Sequence, residues 1–144
     1  MKRTYGAAGK GGVLGTKSVW SEIEPSDGLR ILATRYRGRY LPKERYDVWM
    51  ASLGPSERLL RDFQDDRITW ARFRSAYAKE LLTDPCTNTG NRLIRNNGQK
   101  FTLRLIERLA RKGNVTLLCQ CAEDTKKCHR HVLQKLVLSS RKSR

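Results

Sequence analysis

Residues 119–131, with the sequence CQCAEDTKKCHRH, concentrate the side chains of this chain that can act as nucleophiles, proton carriers or metal ligands. They include three of the four cysteines and both histidines of the 144-residue chain. A cysteine thiolate is both a nucleophile and a metal ligand, and histidine carries protons near neutral pH. The clustering of these side chains therefore predicts a functional site at this segment.

The first interpretation of the segment is the active site of a cysteine-dependent enzyme. Asp124 or Thr125 is predicted to cap a helix and to place Cys128 in its first turn. There the exposed N–H groups, the helix dipole and nearby basic side chains favour a thiolate. Glu123 can orient a substrate, or it is simply a favourable charge at the helix start. The predicted catalytic residues are Cys128, His129, Cys121 and Glu123.

The second interpretation is a zinc site. Cys119 and Cys121 alternate along a predicted strand and share one side, while Cys128 and His131 share one face of the following helix. Together they form a Cys3His donor set, which zinc accepts. The single residue between the first two cysteines is unusual, because paired zinc ligands normally have a wider spacing. A third interpretation, in which these side chains only pack, stays open.

Arginines alternate with tyrosines in the segment TRYRGRY, residues 34–40. Guanidinium groups bind phosphates or carboxylates, and aromatic rings stack on bases. If the preceding strand neighbours the cysteine-bearing strand, both segments line one pocket at the carboxyl ends of the strands. A surface turn with arginine–tyrosine packing explains the same pattern. The predicted anion-binding residues are Arg130, Arg35, Arg37 and Arg39.

Hydrophobic patterning predicts the elements that position these residues. Residues 18–23 and 28–35 alternate as strands do, and the apolar run at 115–121 is typical of a buried parallel strand. Helical spacing predicts helices over 42–53, 55–63, 70–81, 100–113 and 128–138. This order predicts an α/β fold with a small, mostly parallel sheet flanked by helices in three layers, as in Rossmann-like proteins.

One domain accounts for the chain. Its 144 residues, 38% of them hydrophobic, suffice for a single core. Residues 1–17 are glycine-rich and basic and are expected to form a flexible tail, followed by the domain over 18–138 and a basic tail over 139–144. Cys86 lies in a predicted loop over residues 84–91, apart from the other cysteines.

The net charge of +16 far exceeds what solubility requires. It predicts affinity for an anionic ligand or nucleic acid, although a solvated basic surface gives the same total. The N-terminal sequence lacks the apolar core of a signal peptide, and no apolar run is long enough to span a bilayer. We therefore expect a cytoplasmic protein without a membrane partner, whose cysteines are thiols or metal ligands.

Several segments resemble the uncharacterised DUF488 family, including its YeaO-like branch. They are RILATRYRGRY, WMASLGPSERLLRDF, the spaced residues Trp70, Phe73, Tyr77, Glu80 and Leu81, and LARKGNVTLLCQCAEDTKKCHRHVL. The resemblance covers roughly residues 28–138 and implies a compact α/β domain, without implying a reaction.

Two details of the resemblance concern the predicted site. The family pattern after its first strand is similar to Arg35, Tyr36, Arg37 and Gly38, with Thr34 where the family usually has Asp. The Cys-His-Arg motif at 128–130, together with the upstream Cys121 and Glu123, resembles the cysteine-bearing members of the family.

The sequence therefore carries two main functional hypotheses. The first is a small enzyme that uses Cys128 as a thiolate nucleophile or redox thiol, with Arg130 and the strand-end arginines holding an anionic, nucleotide-like substrate. The alternative is a basic phosphate- or nucleic-acid-binding module whose cysteine–histidine cluster is structural or binds zinc.

Overall fold

The computed structural model describes residues 11–83 and 98–142, which are arranged around a sheet of parallel strands. The strands lie in the order β1-β4-β2-β3, so the cysteine-bearing strand β4 is in the interior of the sheet. The expected α/β fold with a small parallel sheet is confirmed. The strand bounds are β1 Leu14–Ser18, β2 Leu29–Leu32, β3 Val48–Trp49 and β4 Val115–Cys119.

The first strand lies earlier in the chain than predicted. It pairs with β4 from Leu14, opposite Val115, to Ser18, opposite Cys119. The prediction of a strand over 18–23 was therefore wrong, and the strand includes residues 14–17 of the segment expected to be a tail. The sequence LGTKS has little intrinsic strand propensity, and its extended conformation depends on the backbone hydrogen bonds that β4 offers.

The four α-helices agree with the helices predicted downstream of residue 55. Ser56 caps the first helix by accepting a hydrogen bond from the Leu59 N–H, and Thr69 caps the second by accepting one from the Arg72 N–H. The helix bounds are α1 Glu57–Gln64, α2 Trp70–Leu82, α3 Lys100–Lys112 and α4 His129–Ser139.

Residues 42–53 do not form the predicted α-helix. Two short 3-10 turns, Lys43–Arg45 and Ala51–Leu53, flank β3 instead. The Met50 N–H donates to the Leu32 carbonyl across 2.9 Å, which extends the pairing of β3 with β2. Hydrogen bonding to the open edge of β2 stabilises these residues more than a helix with weak amphipathic spacing would, because tertiary contacts override local propensity.

The helices pack against one face of the sheet, and the larger hydrophobic core lies between them and that face. Buried residues from all four helices cluster there with Ile31 of β2 and Leu117 of β4. The opposite face carries a smaller cluster of Val19, Leu32, Leu41 and Leu118, packed against Tyr46. Within the described residues the helices therefore form one layer rather than one on each face. The connections over 19–28 and 33–47, which cover the second face, contain 3-10 turns but no α-helix.

A buried group of charges supports the second face of the sheet. Asp27 is 4% exposed and pairs with Lys17 at 2.7 Å and with Arg30 at 2.5 Å. Arg30 also donates to the Arg45 carbonyl at 2.9 Å. These contacts fix the turn between β1 and β2, because a buried carboxylate requires partners for its charge.

The last helix ends one residue beyond its predicted end. The predicted tail over 139–144 begins with the last residue of α4, and a 3-10 turn follows over Ser140–Lys142. Residues 1–10, 84–97 and 143–144, which include the loop with Cys86, lie outside the described residues. None of the helices in the described ranges has the length and apolar character needed to cross a membrane.

Candidate active site

Three cysteines meet where β4 ends and α4 begins. Cys119 is the last residue of β4, and Cys128 is the N-cap residue of α4, in extended conformation. Their sulfurs are 3.1 Å apart, and the Cys121 sulfur completes a group in which all three sulfurs lie within 4.8 Å of one another. We call these residues the thiol cluster. Cys119 and Cys128 are buried, whereas Cys121 is partly exposed.

A buried arginine closes one side of the thiol cluster. The Arg130 side chain is 0% exposed, and its Nη1 donates to the Cys119 sulfur across 2.8 Å. Its Nη2 donates to the Glu123 carbonyl across 2.7 Å. Arginine keeps its proton in proteins, so this buried cation favours negative charge on the thiol cluster. Arg130 therefore faces sulfur, rather than the solvent from which a ligand would approach.

His129 approaches the thiol cluster from the core side. Its Nε2 lies 2.6 Å from the Ala33 carbonyl, which can only accept a hydrogen bond, so Nε2 carries the proton. Burial lowers the pKa of His129 and keeps the ring neutral, despite the hydrogen bond to Ala33. The unprotonated Nδ1 then faces the Cys128 sulfur, 4.0 Å away. On its other side, the imidazole contacts Tyr77, whose ring packs perpendicular to it.

Glu123 holds the cysteine loop against the end of β1. Its carboxylate accepts hydrogen bonds from the Ser18 N–H at 3.0 Å and from the Ser21 hydroxyl. Burial alone would raise the pKa of Glu123, but these two hydrogen bonds and the Arg130 charge lower it below the usual value. The group is therefore a carboxylate near neutral pH, and its visible contacts orient the loop.

The thiol cluster favours one shared thiolate. Hydrogen bonds from Cys119 and Cys128 lower the pKa of Cys121 to about 2. The hydrogen bond with Cys121 raises the pKa of Cys119, although the one with Cys128 lowers it. Hydrogen bonds with Cys119 and Cys121 raise the pKa of Cys128, because a second thiolate would lie beside the first. The Arg130 contact instead favours charge on Cys119, so the three thiols titrate as one unit. Cys121 is the member of this unit that solvent reaches.

The three cysteine sulfurs suit a metal ion better than the predicted Cys3His set. Their mutual distances within 4.8 Å are those of a group that could hold a metal ion. His131 lies outside this group, with its Nε2 hydrogen bonded to the Thr125 carbonyl at 3.0 Å. The Cys3His prediction placed the helix start too early. Cys128 caps α4 itself, and neither Asp124 nor Thr125 does.

The strand-end arginines mostly support the chain around the site. Arg35 donates to the Gly54 and Pro55 carbonyls at 3.0 Å each. Arg37 donates to the Leu41 carbonyl at 2.6 Å and to the Tyr46 hydroxyl, and its guanidinium lies over the Tyr46 ring. Arg39 is exposed. Of these three predicted anion-binding residues, Arg39 is the one oriented to solvent.

Gln120 links the cysteine loop to the arginine–tyrosine segment. Its Nε2 donates to the Arg37 carbonyl at 2.7 Å and to the Tyr36 carbonyl at 3.3 Å. Because β4 and β2 are neighbours, the two predicted site segments meet at one edge of the sheet. Sequence reasoning missed Gln120 and Tyr77, since a glutamine between two cysteines and a tyrosine in a helical stripe give no functional signal by themselves.

The fold and the site define a class of protein: an α/β domain with a cluster of thiols at the carboxyl edge of a parallel sheet. A family model described as "DUF488-N3a: Active DUF488-N3 subclade" matches residues 14–141, and the chain belongs to this family. The resemblance to DUF488 proteins is thereby confirmed.

A relative of known sequence agrees with this assignment. The "Uncharacterized protein YeaO" of Escherichia coli (strain K12) is 36% identical to this chain over 67 residues, which cover 45% of this chain and 58% of the relative. The chain thus matches less than two thirds of that relative's length. No solved structure matches the chain.

Proposed function

We propose that this protein is a cysteine-dependent enzyme with Cys121 as its nucleophile, acting on an anionic, nucleotide-like ligand at the carboxyl edge of the sheet. The observation that carries the proposal is the exposure of one member of the thiol cluster, while the other two and Arg130 are buried behind it. Buried groups that stabilise a thiolate, together with an accessible sulfur, are the requirements for a reactive cysteine.

Each buried neighbour has a distinct role in this proposal. Cys119 and Cys128 donate hydrogen bonds that stabilise the Cys121 thiolate, and Arg130 supplies the compensating positive charge. The His129 Nδ1 accepts a proton from the cluster when a second thiol must be ionised. The role of nucleophile moves from Cys128, expected from the sequence, to Cys121, because Cys128 is 2% exposed.

The proposed chemistry is nucleophilic substitution. A lone pair of the Cys121 sulfur forms a bond to an electrophilic atom of the ligand, and the leaving group departs with the electron pair of the bond that breaks. The net charge of +16 favours an anionic ligand. A reducing, cytoplasmic compartment suits such a site, because it keeps the neighbouring thiols from being oxidised.

The test is the reactivity of each cysteine toward iodoacetamide as a function of pH, read by mass spectrometry of the digested protein. We expect Cys121 to react first, with a rate that is nearly constant from about pH 6 to about pH 9, since its thiolate is already present. Cys119 and Cys128 should react only after denaturation. A Cys121 rate that rises tenfold per pH unit up to about pH 8.5 would sink the proposal.

A second candidate function rests on the same three sulfurs: a zinc-binding module that holds phosphate or nucleic acid, as expected from the alternative sequence interpretation. Three thiolates fit zinc, and Arg130 would donate to one metal-bound sulfur as an outer-shell partner. Elemental mass spectrometry of protein purified without chelator or affinity metal separates the candidates. About one zinc per chain with slow alkylation of Cys121 favours the module, and metal-free protein with a fast thiol favours the enzyme.

A further inference from the structure

Four exposed aromatic side chains follow or end strands of the sheet. Trp20 follows β1, Tyr36 and Tyr40 follow β2, and Trp49 ends β3. They are 50%, 53%, 85% and 42% exposed, respectively. Because all four strands are parallel, the strand ends next to Trp20, Tyr36 and Trp49 lie at the edge of the sheet that also carries Cys119, and Tyr40 lies four residues beyond Tyr36. We call these four residues the aromatic rim.

The two tryptophan rings of the rim and the Tyr36 backbone have specific contacts. The Trp49 Nε1 donates to the Thr34 carbonyl across 2.8 Å, and the Arg45 guanidinium lies over the Trp20 ring at 5.7 Å. The Tyr36 carbonyl accepts hydrogen bonds from Thr34 and from Gln120, which lies between two residues of the thiol cluster. Rings that are ordered before binding lose less conformational entropy when a ligand stacks on them.

The segment that carries Tyr36 and Tyr40 is positively charged. Residues 34–45 carry five basic side chains, which are Arg35, Arg37, Arg39, Lys43 and Arg45, and one acidic side chain, Glu44. Exposed aromatic rings among basic groups are the combination that binds unpaired bases and their phosphates. Bases in a duplex already stack on each other, so they do not offer free faces to protein rings. The combination therefore favours a single strand.

The span of the rim exceeds one nucleotide. Trp20 follows one edge strand and Trp49 ends the other, and the strand order places three strand spacings between them. At about 4.8 Å per spacing this is roughly 14 Å. Stacked nucleotides advance about 3.4 Å each, so about four are needed to cover that distance.

From these observations we propose that the aromatic rim binds single-stranded nucleic acid and guides it to the thiol cluster. The inference deepens the proposed function, on which it rests, by naming the substrate class of the same site. Tyr36 and Tyr40 stack on bases, while Arg39 contacts the phosphate backbone. Cys121 then meets the strand at the centre of the sheet edge.

The test is the fluorescence anisotropy of a fluorescein-labelled single strand of about 12 nucleotides, compared with its duplex at about 0.15 M salt. We expect the single strand to bind more tightly than the duplex. The variant Tyr36→Ala should weaken binding of the single strand about tenfold, and Tyr40→Ala should act similarly. Tyr36→Phe should bind like the unaltered protein, because it keeps the ring.

Matched controls distinguish stacking from general electrostatics. Phe101 on α3 is 64% exposed and also lies beside an arginine, Arg104, but it is outside the rim. Phe101→Ala should change the dissociation constant less than twofold. Equal binding of duplex and single strand, or equal effects of Tyr36→Ala and Phe101→Ala, overturns the inference.

Two further measurements keep the outcome interpretable. Alkylation of Cys121 is measured on the same preparation of the unaltered protein, so fast alkylation together with no binding of the single strand contradicts this inference and leaves the proposed nucleophile standing. If Tyr36→Ala unfolds, the tryptophan fluorescence of the unaltered protein is measured instead while the single strand is added. Stacking of bases on Trp20 and Trp49 should quench this fluorescence. An unchanged fluorescence intensity at a saturating concentration of single strand contradicts the inference.

Discussion

The Arg130 guanidinium donates a hydrogen bond to the Cys119 sulfur across 2.8 Å, with both side chains fully buried. The same guanidinium reaches the Glu123 carbonyl and so joins the thiol cluster to the loop that follows it. A buried cation without an anion is strongly unfavourable, so this contact couples the folding of the loop to the charge on the thiols. Stability and reactivity at this site therefore depend on one side chain.

Replacing Arg130 by methionine should affect both properties. The substitution removes the charge that favours a thiolate and breaks the hydrogen bond to the loop. As the solution is acidified, alkylation of Cys121 should slow at a higher pH than in the unaltered protein, because its thiolate loses the favourable charge of Arg130. The free energy of unfolding should fall by about 3 kcal/mol, the cost typical of breaking a buried charged contact. Stopped-flow alkylation and urea denaturation measure the two effects.

Lys135→Met on the same helix is the control for Arg130→Met. Lys135 is exposed, so its replacement should change stability by less than about 0.5 kcal/mol and leave alkylation unaltered. If alkylation of Arg130→Met slows at the same pH as in the unaltered protein, the guanidinium does not stabilise the thiolate.

Hydrogen peroxide should convert the thiol cluster to a disulfide in two steps. The Cys121 thiolate attacks one peroxide oxygen and becomes a sulfenic acid, with hydroxide as the leaving group. A neighbouring thiol then attacks the sulfenic sulfur, and water leaves as the S–S bond forms. All three sulfurs lie within 4.8 Å of one another, so the second step needs little movement. Intact mass spectrometry should show a net loss of two hydrogens that dithiothreitol reverses.

This experiment is best done in a Cys86→Ser background, where the thiol cluster holds all remaining cysteines. Adding Cys121→Ser should slow the oxidation by at least tenfold, because the accessible thiolate is gone. Oxidation at an unchanged rate in that variant would mean that Cys119 or Cys128 reacts directly.

Sequence patterns predicted the location of the site better than its internal arrangement. An apolar run followed by a helix places Cys119, Cys121 and Cys128 at the carboxyl edge of a parallel sheet, and these three meet in the structure. The alternation of side chains along the strand and the start of the following helix are enough to predict where these cysteines lie. The neighbouring strand β2 then brings the arginine–tyrosine segment to the same edge.

The orientation of the histidines depended on a single residue at the helix start. Each residue turns an α-helix by about 100°, so a small error in the first residue exchanges the inner and outer faces. With Cys128 as the cap, His129 points inward to Ala33 and His131 bonds the Thr125 carbonyl. The burial of Arg130 was equally hidden, because its shortest contacts are to the Cys119 sulfur and to the Glu123 backbone carbonyl, while the Glu123 carboxylate lies 3.8 Å away.

Asp27→Asn should lower stability by about 3 kcal/mol near neutral pH, because it leaves Arg30 with a buried charge and no anion. Although burial raises the pKa of Asp27, hydrogen bonds from Lys17 and the Glu24 N–H lower it below its usual value. The folded state therefore binds this proton less readily than the unfolded state. The stabilisation is present above about pH 4 and is lost as the pH falls through the folded pKa.

Chemical denaturation at several pH values checks this prediction. The difference in unfolding free energy between the unaltered protein and Asp27→Asn should shrink steadily below about pH 4. Glu24→Gln is the comparison variant, since that carboxylate also pairs with Lys17 but is 53% exposed. It should cost less than about 1 kcal/mol. If Asp27→Asn lowers the free energy of unfolding no more than Glu24→Gln does, the buried charges are not coupled.

Gly38→Ala should loosen the contact between the arginine–tyrosine segment and the cysteine loop. Gly38 has a φ of 95°, and an added Cβ would lie 2.6 Å from the Gln120 Nε2. The strained backbone and the displaced amide should together cost about 1–3 kcal/mol of stability. Hydrogen exchange at Cys121 and its neighbours should become faster, because Gln120 no longer donates to the Arg37 carbonyl.

Gly15→Ala is the matched control, since an added Cβ there has no other atom within 4 Å. Equal exchange rates in the two variants would mean that Gln120 does not hold the cysteine loop in place.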